Sequence, residues 1–257
     1  GLGPTEVDKL QDIPWRTYID IANKALDRMR KENPLPGFRG GYGPVADGVN
    51  VPTGEFFSNS TDHTNDMPLM ICTTFHEWGA TRTNPALEAA GEAEIIEAMK
   101  SRFADKAAAV YQAYKSNFPG KKPAEIMTLA ASNRQNAVAC GNAKAKQTAP
   151  VYMAWFGWEP NLYNGRMRAF HCIDICFWYD NTDRMYTHTG GGKRPRALAE
   201  KMSATLLAFM KTGNPNGAGL PSWPKFSVEK GETMVLNDVS EVQNDPDRAA
   251  RAALTNP

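Results

Sequence analysis

Pro68-Leu-Met-Ile-Cys-Thr-Thr-Phe-His-Glu-Trp78 is a short, uninterrupted apolar run that ends in a histidine and a carboxylate. A run of this length reads as a strand buried on both faces, as parallel strands are. Two further stretches share the pattern. Ala149-Pro-Val-Tyr-Met-Ala-Trp-Phe156 reads as a second buried strand and Met234-Val-Leu-Asn237 as a short third. Helical sequence separates the three. That alternation predicts an α/β protein with a mostly parallel sheet flanked by helices.

The helices follow from spacing. Pro4 to residue 12 forms a short one. From Trp15, the positions Tyr18, Ile19, Ala22, Leu26 and Met29 form one face at a period of 3.6. The breaker run Asn33-Pro-Leu-Pro-Gly37 ends it, and a glycine-rich loop or hairpin follows to Val51. No Gly-Lys-Ser/Thr accompanies those glycines, so this is not a phosphate loop. Residues 56–66 are polar and include the sequon Asn59-Ser60-Thr61. Residues 85–100 read as a helix with Asn84 as N-cap. Residues 101–117, 123–131 and 133–147 continue as helical insertions. After the triple glycine Gly190-Gly191-Gly192, Pro195 opens a helix with Leu198, Met202, Leu206, Phe209 and Met210 along one face, closed by Gly213. The charged, alanine-rich tail reads as a last helix.

Composition narrows the function. The 257 residues are 42% hydrophobic, which supplies a sizeable core. The 29 basic and 28 acidic residues leave a net charge of +1 with no run of one sign, which argues against nucleic acid or an anionic membrane as a partner. No apolar run is long enough to cross a bilayer. The start at Gly1 carries no signal-peptide pattern and no Met, which reads as a processed or cleaved start. Cys72, Cys140, Cys172 and Cys176 contain no Cys-x2-Cys pair, so free buried thiols are preferred to a metal site.

The chemistry concentrates at two places. Reactive groups of open α/β sheets gather just past the carboxyl ends of strands. Glu77 lies three residues beyond the first strand, and His171 lies in the connection after the second, within Arg168-Ala-Phe-His-Cys-Ile-Asp174. A histidine that accepts a proton from a hydroxyl nucleophile, with a carboxylate to fix its tautomer, needs this pair of residue types. His76 is the next candidate for the site. Asp174 is three positions from His171 and reads as structural. His63 and His188 stand in polar stretches that read as exposed. Among the aromatic residues near the histidine, Trp158 is expected to line the substrate pocket.

These segments resemble, in order, the C-terminal half of the type B carboxylesterases, the cholinesterase-like α/β-hydrolases. Gly43-Pro-Val-Ala-Asp-Gly-Val-Asn-Val-Pro52 resembles the segment before the acid strand, and Pro68 to Trp78 resembles the acid strand, with Glu77 on the acid. Ala169-Phe-His-Cys-Ile-Asp-Ile175 resembles the histidine segment, with His171 on the catalytic histidine. Thr212-Gly-Asn-Pro-Asn-Gly217 and Leu220-Pro-Ser-Trp-Pro-Lys-Phe226 resemble the closing segment. Three positions depart from the family pattern: Cys172 replaces the glycine after the histidine, Cys176 replaces a proline, and Trp78 replaces the glycine after the acid.

The resemblance implies that residues 1–257 form the C-terminal part of one α/β-hydrolase domain. It also implies carboxylic ester hydrolysis by a Ser-Glu-His triad, with no metal or organic cofactor. The serine, its glycine elbow and the oxyanion loop would come from an N-terminal part, so that the isolated chain is inactive. The expected partners are a small-molecule ester and either that N-terminal fragment or a second copy of this chain. Proteins of this kind are often exported, to the periplasm or out of the cell, while the residues themselves leave the compartment open. Two rival readings stand beside this one: a non-catalytic cholinesterase-like binding or adhesion module, and a metal-dependent hydrolase that uses His171, Cys172 and Cys176.

Overall fold

In the computed structural model, described over residues 2–32, 43, 44, 46–59, 61–79, 81, 84–217 and 219–255, the described strands form one sheet in the order β1-β2-β3-β4. These are β1 (Leu69–Thr74), β2 (Val151–Phe156), β3 (Glu232–Leu236) and β4 (Glu241–Asn244). β1, β2 and β3 run parallel, with Leu69 opposite Val151 and Met153 opposite Thr233. β4 turns back antiparallel on β3, Val235 opposite Glu241. The sheet is therefore mixed. β4 is absent from the sequence expectation because Glu-Val-Gln-Asn has no apolar run to mark it.

The chain divides into two compact units, Gly1–Phe56 and Phe57–Pro257. In the first, a 3-10 helix over Pro4–Asp12 precedes α1 (Trp15–Glu32). Its stripe is narrower than expected: Tyr18, Ala22 and Leu26 are half-buried, while Ile19 and Met29 are exposed. The breaker run at 33–37, the glycines at 37, 40 and 41, and Ser60 of the sequon lie outside the described residues.

The second unit holds the sheet. Its remaining long helices are α2 (Glu92–Phe103), α3 (Ala107–Asn117), α4 (Pro123–Ala130), α5 (Arg134–Lys144), α6 (Lys193–Thr212) and α7 (Arg248–Thr255). β2 explains the layering. All six of its residues are buried, and successive side chains point to opposite faces. Tyr152, Ala154 and Phe156 join Leu198, Ala199 and Met202 of α6 in one core. On the other face Val151 and Met153 meet Ala137 and Val138 of α5, and Trp155 meets α2, α3 and α4. Burying each of the larger apolar side chains among these, such as Phe156, Leu198 and Met202, contributes about 1.5–3 kcal/mol.

β1 differs from the expectation. It is half-buried until Thr74, because it is the outer strand of the described sheet and is paired along one side. The helix expected over 85–100 is also split. Asn84 accepts the Ala86 N–H and caps a 3-10 turn over Pro85–Glu88, and α2 then starts afresh at Glu92. Ala104, with φ of 48°, separates α2 from α3. On α6 Met210 is 71% exposed, so the buried face ends before it. Gly213 closes α6 at φ 72°, and a Cβ there would come within 2.6 Å of Pro68, so only glycine fits.

The last helix is locked to the sheet by buried charge. Asp247 is fully buried and lies 3.3 Å from Arg134 Nε and 2.9 Å from Arg251 Nε. Arg134 also donates to Thr233 Oγ1 on β3 at 2.8 Å.

Candidate active site

The turn after β1 and the loop before α6 meet through the backbone. Phe75 N–H donates to Phe156 O, which extends β1 along β2. The His76 N–H then donates to the Ala169 carbonyl at 3.0 Å, in a parallel bridge of His76 with Phe170. One residue further, the His171 N–H donates to the Glu77 carbonyl at 3.2 Å. A short ladder beyond the carboxyl end of the sheet thus fixes one loop against the other.

That ladder brings Glu77 and His171 together. His171 Nδ1 lies 2.6 Å from Glu77 Oε2. The second carboxylate oxygen accepts the Thr74 N–H at 3.3 Å. Glu77 is largely enclosed, with a tenth of its side chain exposed, whereas half of His171 is exposed. With Nδ1 committed to the carboxylate, Nε2 is the nitrogen left for chemistry. The Trp78 indole stacks on the imidazole with centroids 5.0 Å apart and 21° between the planes.

The loop around His171 holds two residues in the left-handed region, Arg168 at φ 50° and Cys172 at φ 67°. The second is the position where the resembled segment carries glycine. The preference has a plain cause: a residue without Cβ adopts this conformation freely, and cysteine adopts it at a cost.

His76 takes a different place from Glu77. Its side chain is fully buried, with Nδ1 2.7 Å from Thr128 Oγ1 and Nε2 3.5 Å from Glu159 Oε1. Burial lowers its pKa from the usual 6.5. Around it lie Lys121, 2.9 Å from Glu125 and 3.6 Å from Glu159, and Arg168, 3.5 Å from Glu125 and 2.6 Å from Glu88. Arg168 and Lys122 bring Glu88 down to a pKa of about 2. Among the described residues, His76, Glu125 and Glu159 are the trio close enough to share a cation. The Lys121 ammonium and the Arg168 guanidinium already balance those carboxylates, so the trio is a buried charge network. Sequence spacing gave no sign of it, since His76, the Lys121–Glu125 turn, Glu159 and Arg168 come from four separate segments.

The other candidates fall outside the pair. Trp158, expected as a pocket wall, is fully buried: its indole N–H donates to Asp238 at 3.0 Å, Phe177 packs on it at 4.9 Å, and the Arg194 guanidinium covers its ring at 4.4 Å. It packs the core. Asp174 accepts the Trp178 indole N–H at 3.2 Å, and burial raises its carboxyl above the usual range. His63 is exposed, whereas His188 is half-buried against Phe170 at 5.8 Å. All four cysteines are free. Cys172 is exposed, contrary to the buried expectation, and Cys176 is buried, donates to the Ile173 carbonyl and is pushed up to about 11. A thiol so protonated is a poor metal ligand.

The model of the carboxylesterase family matches residues 7–253. The chain belongs to that family. It is 26% identical over 266 residues to the para-nitrobenzyl esterase of Bacillus subtilis, covering 99% of this chain and 50% of that protein. It is 26% identical over 250 residues to the phenmedipham hydrolase of Pseudarthrobacter oxydans, covering 92% of this chain and 48% of that protein. Among solved structures, a Geobacillus stearothermophilus carboxylesterase superposes with a TM-score of 0.64 at 26% identity, over 98% of this chain and 51% of that one. A Clostridium hathewayi esterase superposes with a TM-score of 0.71 at 24% identity, over 98% and 49%. The fold is that of the α/β-hydrolases, and the chain spans about half the length of the curated relatives it matches.

Proposed function

We propose that this chain contributes the acid and the histidine of a serine carboxylesterase. The observation that carries the reading is the 2.6 Å contact between Glu77 Oε2 and His171 Nδ1, held by the backbone ladder at the carboxyl end of the sheet. In the proposed reaction a serine from outside residues 1–257 attacks the ester carbonyl. His171 Nε2 takes the serine proton and passes it to the departing alcohol. Water then attacks the acyl-serine, and His171 takes and returns a second proton. Glu77 keeps Nδ1 protonated and stabilises the imidazolium. Membership of the carboxylesterase family supports ester hydrolysis. The name of the para-nitrobenzyl esterase supplies a candidate substrate, a p-nitrobenzyl ester, and p-nitrophenyl acetate is the practical chromogenic probe.

The test combines p-nitrophenyl acetate turnover with fluorophosphonate labelling of the preparation and intact mass spectrometry. Label on a serine outside residues 1–257, with turnover lost in His171→Ala, is the expected result. Turnover that survives His171→Ala, or a labelled protein indifferent to Glu77→Ala, would overturn the proposal.

A further inference from the structure

Every residue of α4 from Ala124 to Ala130 is buried, and two of them carry polar groups that reach the loops of the site. Glu125 and Thr128 stand three positions apart, so they share one face of the helix. Glu125 Oε1 lies 3.5 Å from Nε of Arg168, three residues before His171. The Thr128 hydroxyl lies 2.7 Å from Nδ1 of His76, the residue before Glu77. We infer that α4 is a positioning element for the acid–histidine pair, in which Glu125 holds the histidine loop through Arg168 and Thr128 holds the acid turn through His76. The inference rests on the proposed function and deepens it by naming residues that act on the pair without touching the substrate.

Three observations carry it. The first is that each holding group is itself held. The Thr128 hydroxyl donates to the Glu125 carbonyl at 3.0 Å, which leaves its lone pairs for His76. Glu125 Oε2 accepts the Lys122 N–H at 2.9 Å, and Oε1 accepts from the Lys121 ammonium at 2.9 Å. Arg168 also forks onto Glu88 at 2.6 and 2.9 Å, which fixes the plane of the guanidinium. The second is burial. His76 is fully enclosed, and Glu125 and Arg168 are each less than a tenth exposed. Apolar residues of similar size would pack α4 as well as these charges do. What the polar pairs add is register, because each donor accepts one partner in one place. The third is placement. The backbone ladder of His76 with Ala169 and of Glu77 with His171 ties the two loops to each other. α4 ties both of them to the body of the protein. A shift of either loop would pull Glu77 and His171 from their 2.6 Å contact. A misplacement of about 1 Å at such a pair costs on the order of 10²-fold in rate.

The preparation is assayed with p-nitrophenyl acetate as wild type, Thr128→Val, Thr128→Ser and Glu125→Gln. The His171 Nδ1 proton is followed in each by NMR on 15N-labelled histidine, assigned by its loss in His171→Ala. Thr128→Val and Glu125→Gln are each expected to lower kcat about tenfold or more, with KM within about twofold. Both should move or broaden the Nδ1 proton signal. Thr128→Ser keeps the hydroxyl and should restore rate and signal together. The double variant Glu125→Gln/Thr128→Val should lose much less than the product of the two single losses, since either change alone already frees the pair. Asp247→Asn weakens the fold elsewhere and should leave kcat and the signal unchanged, which separates positioning from stability. Should Glu125→Gln fail to fold, Thr128→Val removes a single hydroxyl and decides the matter. A folded Thr128→Val with wild-type kcat and signal would overturn the positioning role, as would an equal loss in Asp247→Asn. A signal that changes in Thr128→Val while no form of the protein, wild type included, turns over ester would sink the proposed function and leave the positioning role standing.

Discussion

Glu77 holds His171 twice, through the carboxylate on Nδ1 at 2.6 Å and through its own carbonyl on the His171 N–H at 3.2 Å. The side-chain contact sets the tautomer, and the backbone contact sets the distance. The two can be separated by mutation. Glu77→Gln leaves the backbone bond in place but offers the imidazole the wrong partner. It should lower kcat of the esterase by about 10³- to 10⁴-fold, as loss of the orienting carboxylate does in serine hydrolases. The unfolding midpoint should change little. Esterase kinetics and urea unfolding on one preparation check both halves of the prediction.

Cys172 carries a Cβ at φ 67° beside the histidine. Left-handed backbone costs a non-glycine residue about 1–2 kcal/mol. A glycine gives back part of that through the freedom of the unfolded chain. Cys172→Gly should therefore stabilise by about 0.5–1 kcal/mol, whereas the β-branched Cys172→Val should destabilise. Chemical denaturation of the three proteins gives the order directly.

His76 makes stability depend on pH. Burial lowers its native pKa from 6.5, while the unfolded chain keeps the ordinary value. As pH falls below 6.5 the unfolded state takes up a proton that the native state refuses, so stability falls with it. Glu159 and Glu125 face the imidazole network, with Lys121 and Arg168 opposite them. Both carboxyls have lowered pKa values, so their contributions are lost in the same direction but only below 4.5. Urea midpoints at about pH 5.5 and about pH 7.5 should differ in the wild type and converge in His76→Gln. A wild type equally stable at both would contradict the assignment.

Asp247 sits between two arginines with none of its surface in water. Removing one partner of a buried ion cluster strands the others. Asp247→Ala should cost about 3–5 kcal/mol. Replacing Arg134 and Asp247 together by apolar residues should cost less than the sum of the two single changes. A double-mutant cycle measures that difference.

The parallel strands were legible because an apolar run of six leaves few alternatives, and β2 meets that description at every position. β4 was not, because an outer strand of polar residues is specified by its neighbour β3 and not by its own pattern. The split of the 85–100 helix was equally hidden, since Pro85 and Asn84 mark a helix start whether one turn or four follow. At the site, Glu77 and His171 stand in family-like segments of the sequence, and the fold brings their side chains to 2.6 Å. The burial of the aromatic residues was not legible. Trp158 and Trp78 look alike in sequence, and only packing distinguishes an indole enclosed by Phe177 and Arg194 from one lying open beside His171.

β1 leads to a last consequence. Its amides at Leu69 and Phe75 donate to Pro150 and Phe156 of the β2 segment, so by alternation those of Met70, Cys72 and Thr74 point the other way. Thr74 finds Glu77 on that side. Deuterium uptake along this one strand should then alternate, fast at Met70 and Cys72 and slow at Ile71 and Thr73. Thr74 should be slow for a reason of its own, because its protection is lent by the carboxylate that holds the histidine. A chain that docks alongside would erase the alternation. Loss of the glutamate would release Thr74 alone. Two amides thus become timers for assembly, and a third reports whether the acid is in position.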